Sequence, residues 1–249
     1  MTLPLSIVVV MPAYNESDGI CDFIAEIAES FNSLNIPTSF CVQDDCSTDN
    51  SIERLYSLRK TAHLNVNVKK NDSNRGHGPT SLAALRAGIS SGATWILHVD
   101  GDGQFTGQDL RRIVELGLAT GDPVVGVRKS RMDPWFRKVL TRLLRQYLKL
   151  ICQTRSIYDP NSPVRFEHCS SLKQKLEQIP VDAVIPSIWW TVISIRSRQN
   201  TQYLNISSLE RRGQGGSGSM WGRNRIQFLP NRRLLVFCGH ALKESLKIW

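Results

Sequence analysis

The sequence contains no apolar run of the ~20 residues that a membrane-spanning helix needs. Its first apolar run, residues 3–13, is interrupted by Pro4, Ser6 and Pro12 and follows no basic region. We therefore interpret this run as a buried strand and not as a signal peptide. The six cysteines include no CxxC pair and no regular spacing. That pattern disfavours a zinc site and predicts reduced thiols in a cytoplasmic protein.

Acidic residues are scarce in one half of the chain. Residues 1–125 hold 9 Lys and Arg against 15 Asp and Glu, whereas residues 126–249 hold 22 against 7. The strongly basic second half predicts contact with phosphates, which a nucleotide, a nucleic acid or an anionic membrane surface could supply. The 249 residues show neither internal repeats nor an obvious linker. We therefore predict a single folded domain over residues 1–249.

Strand and helix signals alternate through the first half of the chain. We predict strands at residues 6–11, 38–42, 64–68, 94–99 and 124–127. Helical spacing of apolar residues lies between them, at residues 20–31, 52–58, 81–89 and 109–118. This alternation is typical of an α/β fold with a mostly parallel central sheet and helices on both faces.

The second half of the chain is less regular. We predict a long helix at residues 135–152, an irregular segment at 159–166, a short helix at 172–178, and strands at 188–195 and 202–209. A Gly- and Ser-rich loop at residues 214–219 precedes a basic amphipathic segment. This half is therefore expected to form a basic region of mixed helix and strand.

Three polar clusters follow predicted strands, at residues 12–16, 43–49 and 100–104. Ligands of open parallel sheets bind beyond the carboxyl ends of the strands, so these clusters mark a candidate site. In the last cluster, Asp100 and Asp102 are two residues apart. Such closely spaced carboxylates suit Mg²⁺ or Mn²⁺, which prefer oxygen ligands. An exposed Asp-Gly turn explains the same cluster without a metal, and the residues alone leave both interpretations open.

Four segments resemble the family 2 glycosyltransferases in their order and intervals: VVMPAYNES, VQDDCSTDNS, NRGHGPTSLAALRAG and VDGDGQF. Within that family the chain is similar to the branch of dolichol-phosphate mannose synthase and related polyprenyl-phosphate sugar transferases. The resemblance is strong over residues 5–130 and weaker through GVRKSR, DPNSPVRF, IPVDAVIPSI and RRGQGGS. It implies a GT-A fold, a GDP- or UDP-sugar donor, Mg²⁺ or Mn²⁺, and inverting transfer. Residues 1–130 would bind the nucleotide sugar, and residues 131–249 would face the acceptor and the membrane.

The resemblance also implies roles for individual residues. The nucleoside pocket would be lined by Pro12, Tyr14 and Glu16, with Asp44 hydrogen-bonded to the base and Asp45 nearby. The metal and the diphosphate would be held by Asp100, Asp102 and Gln104. Arginines expected to face donor or acceptor phosphates are Arg128, Arg137 or Arg142, Arg165, and Arg211 or Arg212. A cation and arginines suit this reaction because the departing nucleoside diphosphate gathers negative charge.

The class of acceptor is predicted from the absence of an adjacent acidic pair in the second half of the sequence. An alcohol that attacks an anomeric carbon needs a general base, normally a carboxylate. The second half contains no adjacent acidic pair, and its best-placed acid by position is Asp182. A phosphate monoester is already ionised near pH 7 and can attack unaided. We therefore expect transfer of a hexose to a dolichyl or undecaprenyl phosphate, with a hydroxyl of a glycolipid or polysaccharide as the alternative.

The predicted helix at residues 135–152 carries apolar residues at helical spacing, five basic residues and no acidic one. This pattern fits a helix at the surface of an anionic membrane, and equally an amphipathic helix packed on its own core. A helix at the membrane surface would make this a peripheral membrane protein on the cytoplasmic face. Nucleic-acid binding is disfavoured because no known nucleic-acid motif is present. A nucleotidyltransferase is disfavoured because the chain opens with PAYNES and not with a Gly-rich phosphate loop.

Overall fold

The computed structural model describes residues 4–129, 135–154 and 157–209, together with Gly239 and Glu244. Seven strands in this part of the chain form one sheet: β1 (Ile7–Ala13), β2 (Thr38–Asp44), β3 (Val66–Lys70), β4 (Trp95–His98), β5 (Val124–Arg128), β6 (Arg165–His168) and β7 (Gln202–Ile206). Their order is β3-β2-β1-β4-β6-β5-β7. Only β6 runs antiparallel to its neighbours β4 and β5. The predicted mostly parallel sheet is thereby confirmed.

Helices cover both faces of this sheet, as the sequence predicted. They are α1 (Ile20–Phe31), α2 (Ser51–Thr61), α3 (His77–Ile89), α4 (Gly107–Thr120), α5 (Trp135–Ile151), α6 (Cys169–Leu176) and α7 (Pro186–Arg196), with a short 3₁₀ turn at Asn32–Leu34. Buried side chains of α1, α2 and α4 form the core on one face. Those of α3, α5, α6 and α7 form a second core on the other.

The central strand β1 shows why two cores form. All seven of its residues are buried. Ile7 and Val9 pack into the first core, whereas Val8 and Val10 pack into the second. Because successive side chains of a strand point to opposite faces, an unbroken apolar run places apolar groups on both. A Cβ atom at Gly88 would lie 2.4 Å from Cγ1 of Val10, so glycine lets α3 pack closely on this strand.

Two predictions in the second half were wrong. Residues 188–195, expected to be a strand, belong to helix α7, which begins with Pro186 in its first turn. Residues 159–166, expected to be irregular, include the start of β6. The helix was missed because six consecutive residues from Ile188 to Ile193 are buried, so no apolar stripe of helical period is visible. The predicted loop at 214–219 and the amphipathic segment after it lie outside the described residues.

Candidate active site

The three polar clusters meet at the carboxyl edge of the sheet. Strand β1 lies between β2 and β4, so the ends of these strands are neighbours. The Gly101 N–H donates to the carbonyl oxygen of Pro12 at 3.2 Å, and the Asp45 N–H donates to that of Ala13 at 2.8 Å. A Cβ atom at Gly101 would lie only 3.0 Å from the Pro12 oxygen. The structure therefore brings the expected nucleoside residues beside the expected metal motif.

The segment after β1 is fixed by the turn after β2. The backbone N–H of Asn15 donates to Oγ of Ser47 at 2.9 Å, and that of Glu16 donates to Oγ of Ser51 at 3.1 Å. Asn15 adopts a left-handed conformation with φ of 54°, which asparagine tolerates better than most residues. These contacts hold Tyr14 and Glu16, both half-buried, at the edge of the sheet.

Asp44, which was expected to hydrogen-bond the base, makes hydrogen bonds within the protein. Its side chain is fully buried, with 0% exposure. Oδ2 accepts the Ser47 N–H at 2.9 Å, and Oδ1 accepts the Ser47 hydroxyl. A buried carboxylate needs hydrogen-bond donors, and the Ser47 N–H, three residues later in the chain, is one of them. In this structure Asp44 therefore shapes the turn that carries Ser47.

Asp45 organises the loop between β3 and α3. Its Oδ1 accepts from Nδ2 of Asn71 and from the Arg75 N–H, and its Oδ2 accepts from the Gly76 N–H, each at 2.8 Å. Sequence reasoning missed Asn71, although a polar residue directly after a strand at the binding edge was a usable signal. The loop leads directly into α3, so Asp45 sets where His77 lies.

The predicted metal motif combines a buried oxygen with a short turn. Oδ1 of Asp100 is buried and has no hydrogen-bond partner among the residues that the structure describes. Nε2 of His77 lies 3.6 Å from this oxygen. Asp102 is buried, and its Oδ1 accepts the Gln104 N–H at 3.3 Å. Gly103 between them has φ of 67°, a conformation that glycine adopts without strain.

These residues fit a divalent cation shared with a diphosphate. Within the described parts of the chain, no three His, Cys, Asp or Glu side chains converge as a metal cage. Mg²⁺ is commonly held by one or two carboxylates, with substrate phosphates supplying further oxygens. Asp100 and Asp102 provide that number of carboxylates. Oδ1 of Asp100, which accepts no hydrogen bond from the described part of the chain, carries charge that a cation would neutralise.

Arg128 and Arg165, which were expected to face phosphates, make hydrogen bonds within the protein. Arg128 donates from Nε and Nη2 to the two carboxylate oxygens of Asp159, at 2.7 and 3.0 Å. Arg165 is buried and donates to the carbonyl oxygens of Pro160 and Ser162. Burial lowers the pKa of Arg165 to about 10. A buried guanidinium needs acceptors close by, and the protein supplies them here.

The remaining predicted arginines fall in different places. Arg142 lies on the exposed side of α5. The side chain of Arg137 and the whole of Arg211 lie outside the described residues. The chain leading toward Arg211 is nevertheless tied to the metal motif, because the Leu209 N–H donates to the carbonyl oxygen of Gln104 at 2.8 Å.

His98 contacts both α3 and the segment before β6. Its Nδ1 lies 2.6 Å from the carbonyl oxygen of Pro163, and its Nε2 lies 3.3 Å from Oγ of Ser81. A carbonyl accepts only, so Nδ1 carries the proton. Burial lowers the pKa of His98 below its usual value. The ring is therefore neutral near pH 7 and links β4 to α3 and to the segment before β6.

Comparison with known proteins agrees with this geometry. The model of the family "Glycosyl transferase family 2" matches residues 8–179, so the chain belongs to this family. The fold resembles that of glucosyl-3-phosphoglycerate synthase from Mycobacterium tuberculosis with Mn²⁺ and UDP-glucose, with a TM-score of 0.67, 16% identity, and coverage of 98% of this chain and 79% of that one. It also resembles S. aureus TarS 1–349 with UDP, with a TM-score of 0.56, 20% identity, and coverage of 82% and 60%.

Family membership settles the class of enzyme. The protein is a glycosyltransferase of the GT-A fold, of the inverting type that uses a nucleotide sugar. The expectation of a divalent metal agrees with the mycobacterial structures, in which Mn²⁺ accompanies UDP or UDP-glucose. The acceptor of the present enzyme is a separate question.

Proposed function

We propose that this enzyme transfers a hexose from a UDP- or GDP-sugar to a polyprenyl phosphate at the surface of an anionic membrane. The observation that carries the proposal is the exposed apolar and basic surface of α5. The residues of the candidate site support a nucleotide-sugar donor. The phosphate acceptor is supported by carboxylates of residues 126–249 that already form hydrogen bonds or ion pairs within the protein.

The donor would lie along the carboxyl edge of β1, β2 and β4. Tyr14 and Glu16 would line the nucleoside pocket, and Asp100, Asp102 and Gln104 would hold the cation and diphosphate. When bound, a divalent cation stabilises the negative charge of the departing nucleoside diphosphate. The tie between Leu209 and Gln104 supports a role for Arg211 near that diphosphate. The relatives crystallised with Mn²⁺ and UDP are consistent with this arrangement.

Helix α5 supports a membrane-bound acceptor. Val139, Leu140 and Leu143 are 45%, 46% and 62% exposed, and Arg142 beside them is exposed as well. Near its end, the same helix buries Leu148 in the second core. Its 17 residues include no acid. A helix with an exposed apolar face and basic neighbours binds the interface of an anionic bilayer. Among the described residues, no helix is long and apolar enough to cross a membrane.

The contacts of three acidic residues in the second half of the chain also favour a phosphate acceptor. Glu167 is buried against Lys175 and Trp190, and Asp159 pairs with Arg128. Glu244 accepts the backbone N–H groups of residues 184 and 185. These three carboxylates already serve the fold, which leaves them poorly suited to remove a proton from an alcohol. A phosphate nucleophile needs no such base.

A hydroxyl acceptor remains the second candidate, and the position of Asp182 favours it. Asp182 is exposed and lies in the turn at residues 180–183, whose last residue packs on the start of α3. A Cβ atom at Gly78 would lie 2.3 Å from the carbonyl oxygen of Ala183, so this turn contacts the residue next to His77. An acid near this edge could act as a general base. The mycobacterial relative is crystallised with phosphoglyceric acid, which carries a hydroxyl as well as a phosphate.

The proposal is tested by donor binding followed by product analysis. UDP and GDP, each with Mn²⁺, are compared for their effect on the melting temperature. The matching nucleotide sugars are then incubated with a short-chain polyprenyl phosphate in vesicles of anionic lipid. We expect a hexosyl polyprenyl phosphate with inverted anomeric configuration. Formation of product from hydroxyl acceptors alone would contradict the lipid-phosphate assignment.

A further inference from the structure

The segment at residues 159–163, hereafter the 159–163 loop, is held almost entirely by side chains. The carbonyl oxygens of its last four residues all accept side-chain hydrogen bonds. The donors are Arg165 and Thr191 to Pro160, Arg128 to Asn161, Arg165 to Ser162, and His98 to Pro163. Hydrogen bonds from charged donors are stronger than neutral ones. The loop therefore has one well-defined backbone shape.

The loop lies at the same edge of the sheet as the metal motif. His98 and Arg165 are paired across the antiparallel strands β4 and β6. Asp100 lies two residues after His98, and Pro163 lies two residues before Arg165, so both extend beyond the same end of the sheet. The strand order places nucleoside residues at β1 and β2, the metal motif at β4, and the loop at β6. Along this edge, the metal motif therefore lies between the nucleoside residues and the loop.

Both packing and hydrogen bonds hold this loop. A cavity of about 510 Å³ borders it, lined among others by Tyr158, Asp159, Pro160 and Arg165. Atoms that border a cavity lose packing partners on that side. The side-chain hydrogen bonds therefore act together with the burial of Asp159, Pro160 and Ser162 to fix the shape of the loop.

We propose that the 159–163 loop, positioned by Arg128, Arg165 and Thr191, is the acceptor-side wall of the active site and presents Asn161 to the acceptor. This inference rests on the proposed function in requiring a transfer reaction, but it applies to either class of acceptor. Asn161 is exposed, and its Oδ1 accepts the Ser187 hydroxyl at 2.5 Å at the start of α7. Its side-chain amide nitrogen is the donor that would meet an acceptor oxygen.

The first experiment replaces the residue that would contact the acceptor. Asn161→Ala should raise the KM for the acceptor about tenfold, the effect of losing one good hydrogen bond to a charged oxygen. The Kd for UDP or GDP with Mn²⁺, measured by calorimetry, should stay within about twofold, because the nucleotide lies at the other end of the edge. Asn65→Ala is the matched control, since Asn65 is exposed and directly precedes β3, at the opposite end of the sheet.

The second experiment changes the shape of the loop without touching the acceptor. Thr191 is buried, and its Oγ1 accepts from Arg165 at 2.8 Å and contacts the Pro160 oxygen at 3.1 Å. Thr191→Val removes this hydroxyl at nearly constant volume, whereas Thr191→Ser keeps it. We expect Thr191→Val to raise the acceptor KM severalfold with the donor Kd unchanged, and Thr191→Ser to restore a value near wild type.

The outcomes separate this inference from the proposed function. Both kinds of acceptor, a polyprenyl phosphate and a soluble hydroxyl acceptor, are used with every variant. Unchanged acceptor KM in folded Asn161→Ala and Thr191→Val would overturn the inference even if lipid phosphate is the true acceptor. If the Kd for the donor nucleotide rose as much as the acceptor KM in these variants, the inference would be overturned too. If only the hydroxyl acceptor reacts and its KM rises in these variants, the loop assignment stands and the lipid-phosphate function fails.

Discussion

Nε2 of His77 lies 3.6 Å from Oδ1 of Asp100, a buried oxygen that accepts no hydrogen bond from the residues that the structure describes. The start of α3 and the end of β4 converge at this pair. Burying a carboxylate oxygen without a donor is costly, and functional sites are where such costs are tolerated. The Asp100 oxygen is therefore a candidate ligand for a cation.

The first prediction is that the DGDGQ motif makes donor binding depend on metal. Asp102→Asn preserves shape and removes one negative charge. In calorimetry with UDP or GDP, Mn²⁺ should tighten binding to the wild type by at least about tenfold and have little effect on the variant. Asp72→Asn, at an exposed acid in the loop before α3, serves as the control. Metal-dependent affinity that survives in Asp102→Asn would assign the motif to a structural turn.

The second prediction concerns the pH dependence of stability. Burial lowers the pKa of His98, so the folded state takes up this proton less readily than the unfolded state. Stability attributable to His98 is present above about pH 6.5 and is lost as the pH falls below it. The melting temperature of the metal-free protein should fall between pH 7 and pH 5. His98→Gln should flatten this decline while lowering stability at pH 7, whereas His63→Gln at an exposed site should leave the slope unchanged.

The third prediction concerns a buried ion pair in the second core. Nζ of Lys175 lies 2.5 Å from Oε1 of Glu167, and both side chains are at most 5% exposed. Lys175→Met leaves a buried carboxylate without its cation, and should lower the free energy of unfolding by about 3–5 kcal/mol. Lys175→Met combined with Glu167→Gln should cost less than the single change. Urea denaturation measures both, with Lys173→Met on the exposed side of α6 as the control. A harmless Lys175→Met would show that the pair contributes little.

The fourth prediction concerns the membrane surface of α5. The protein should sediment with vesicles that contain anionic lipid and be released by salt, since the attraction is screened. Leu143→Glu places a negative charge on the exposed apolar face and should abolish sedimentation. Tyr56→Glu makes the same kind of change at an exposed position of α2, and should have no effect. Equal binding to neutral vesicles, or no binding by the wild type, would argue against a membrane-bound acceptor.

The parallel part of the sheet could be predicted because its sequence signals are local. Strand β1 is an apolar run that ends at a polar cluster, and α1 and α4 carry apolar stripes above it. Such patterns depend only on neighbouring residues. The convergence of the polar clusters then followed from the rule that ligands bind beyond the carboxyl ends of parallel strands.

The second half was harder because its elements depend on distant contacts. Helix α7 is buried on nearly every side, so its sequence resembles a strand. Strand β6 is only four residues long and exists because it fits antiparallel between β4 and β5. The roles of Arg128 and Arg165 likewise depend on Asp159 and the 159–163 loop. No pattern in the sequence indicates such pairings before the chain is folded.

Transfer to a lipid phosphate is tested most sharply with a matched pair of acceptors. Product formation is measured from a polyprenyl phosphate and from the corresponding polyprenyl alcohol, across pH 6 to 9, with the wild type and Asp182→Asn. We predict transfer to the phosphate alone, with Asp182→Asn still active because an ionised phosphate needs no general base. Reaction of the alcohol alone, with turnover abolished in Asp182→Asn while the Kd for the donor nucleotide is unchanged, would contradict transfer to a lipid phosphate.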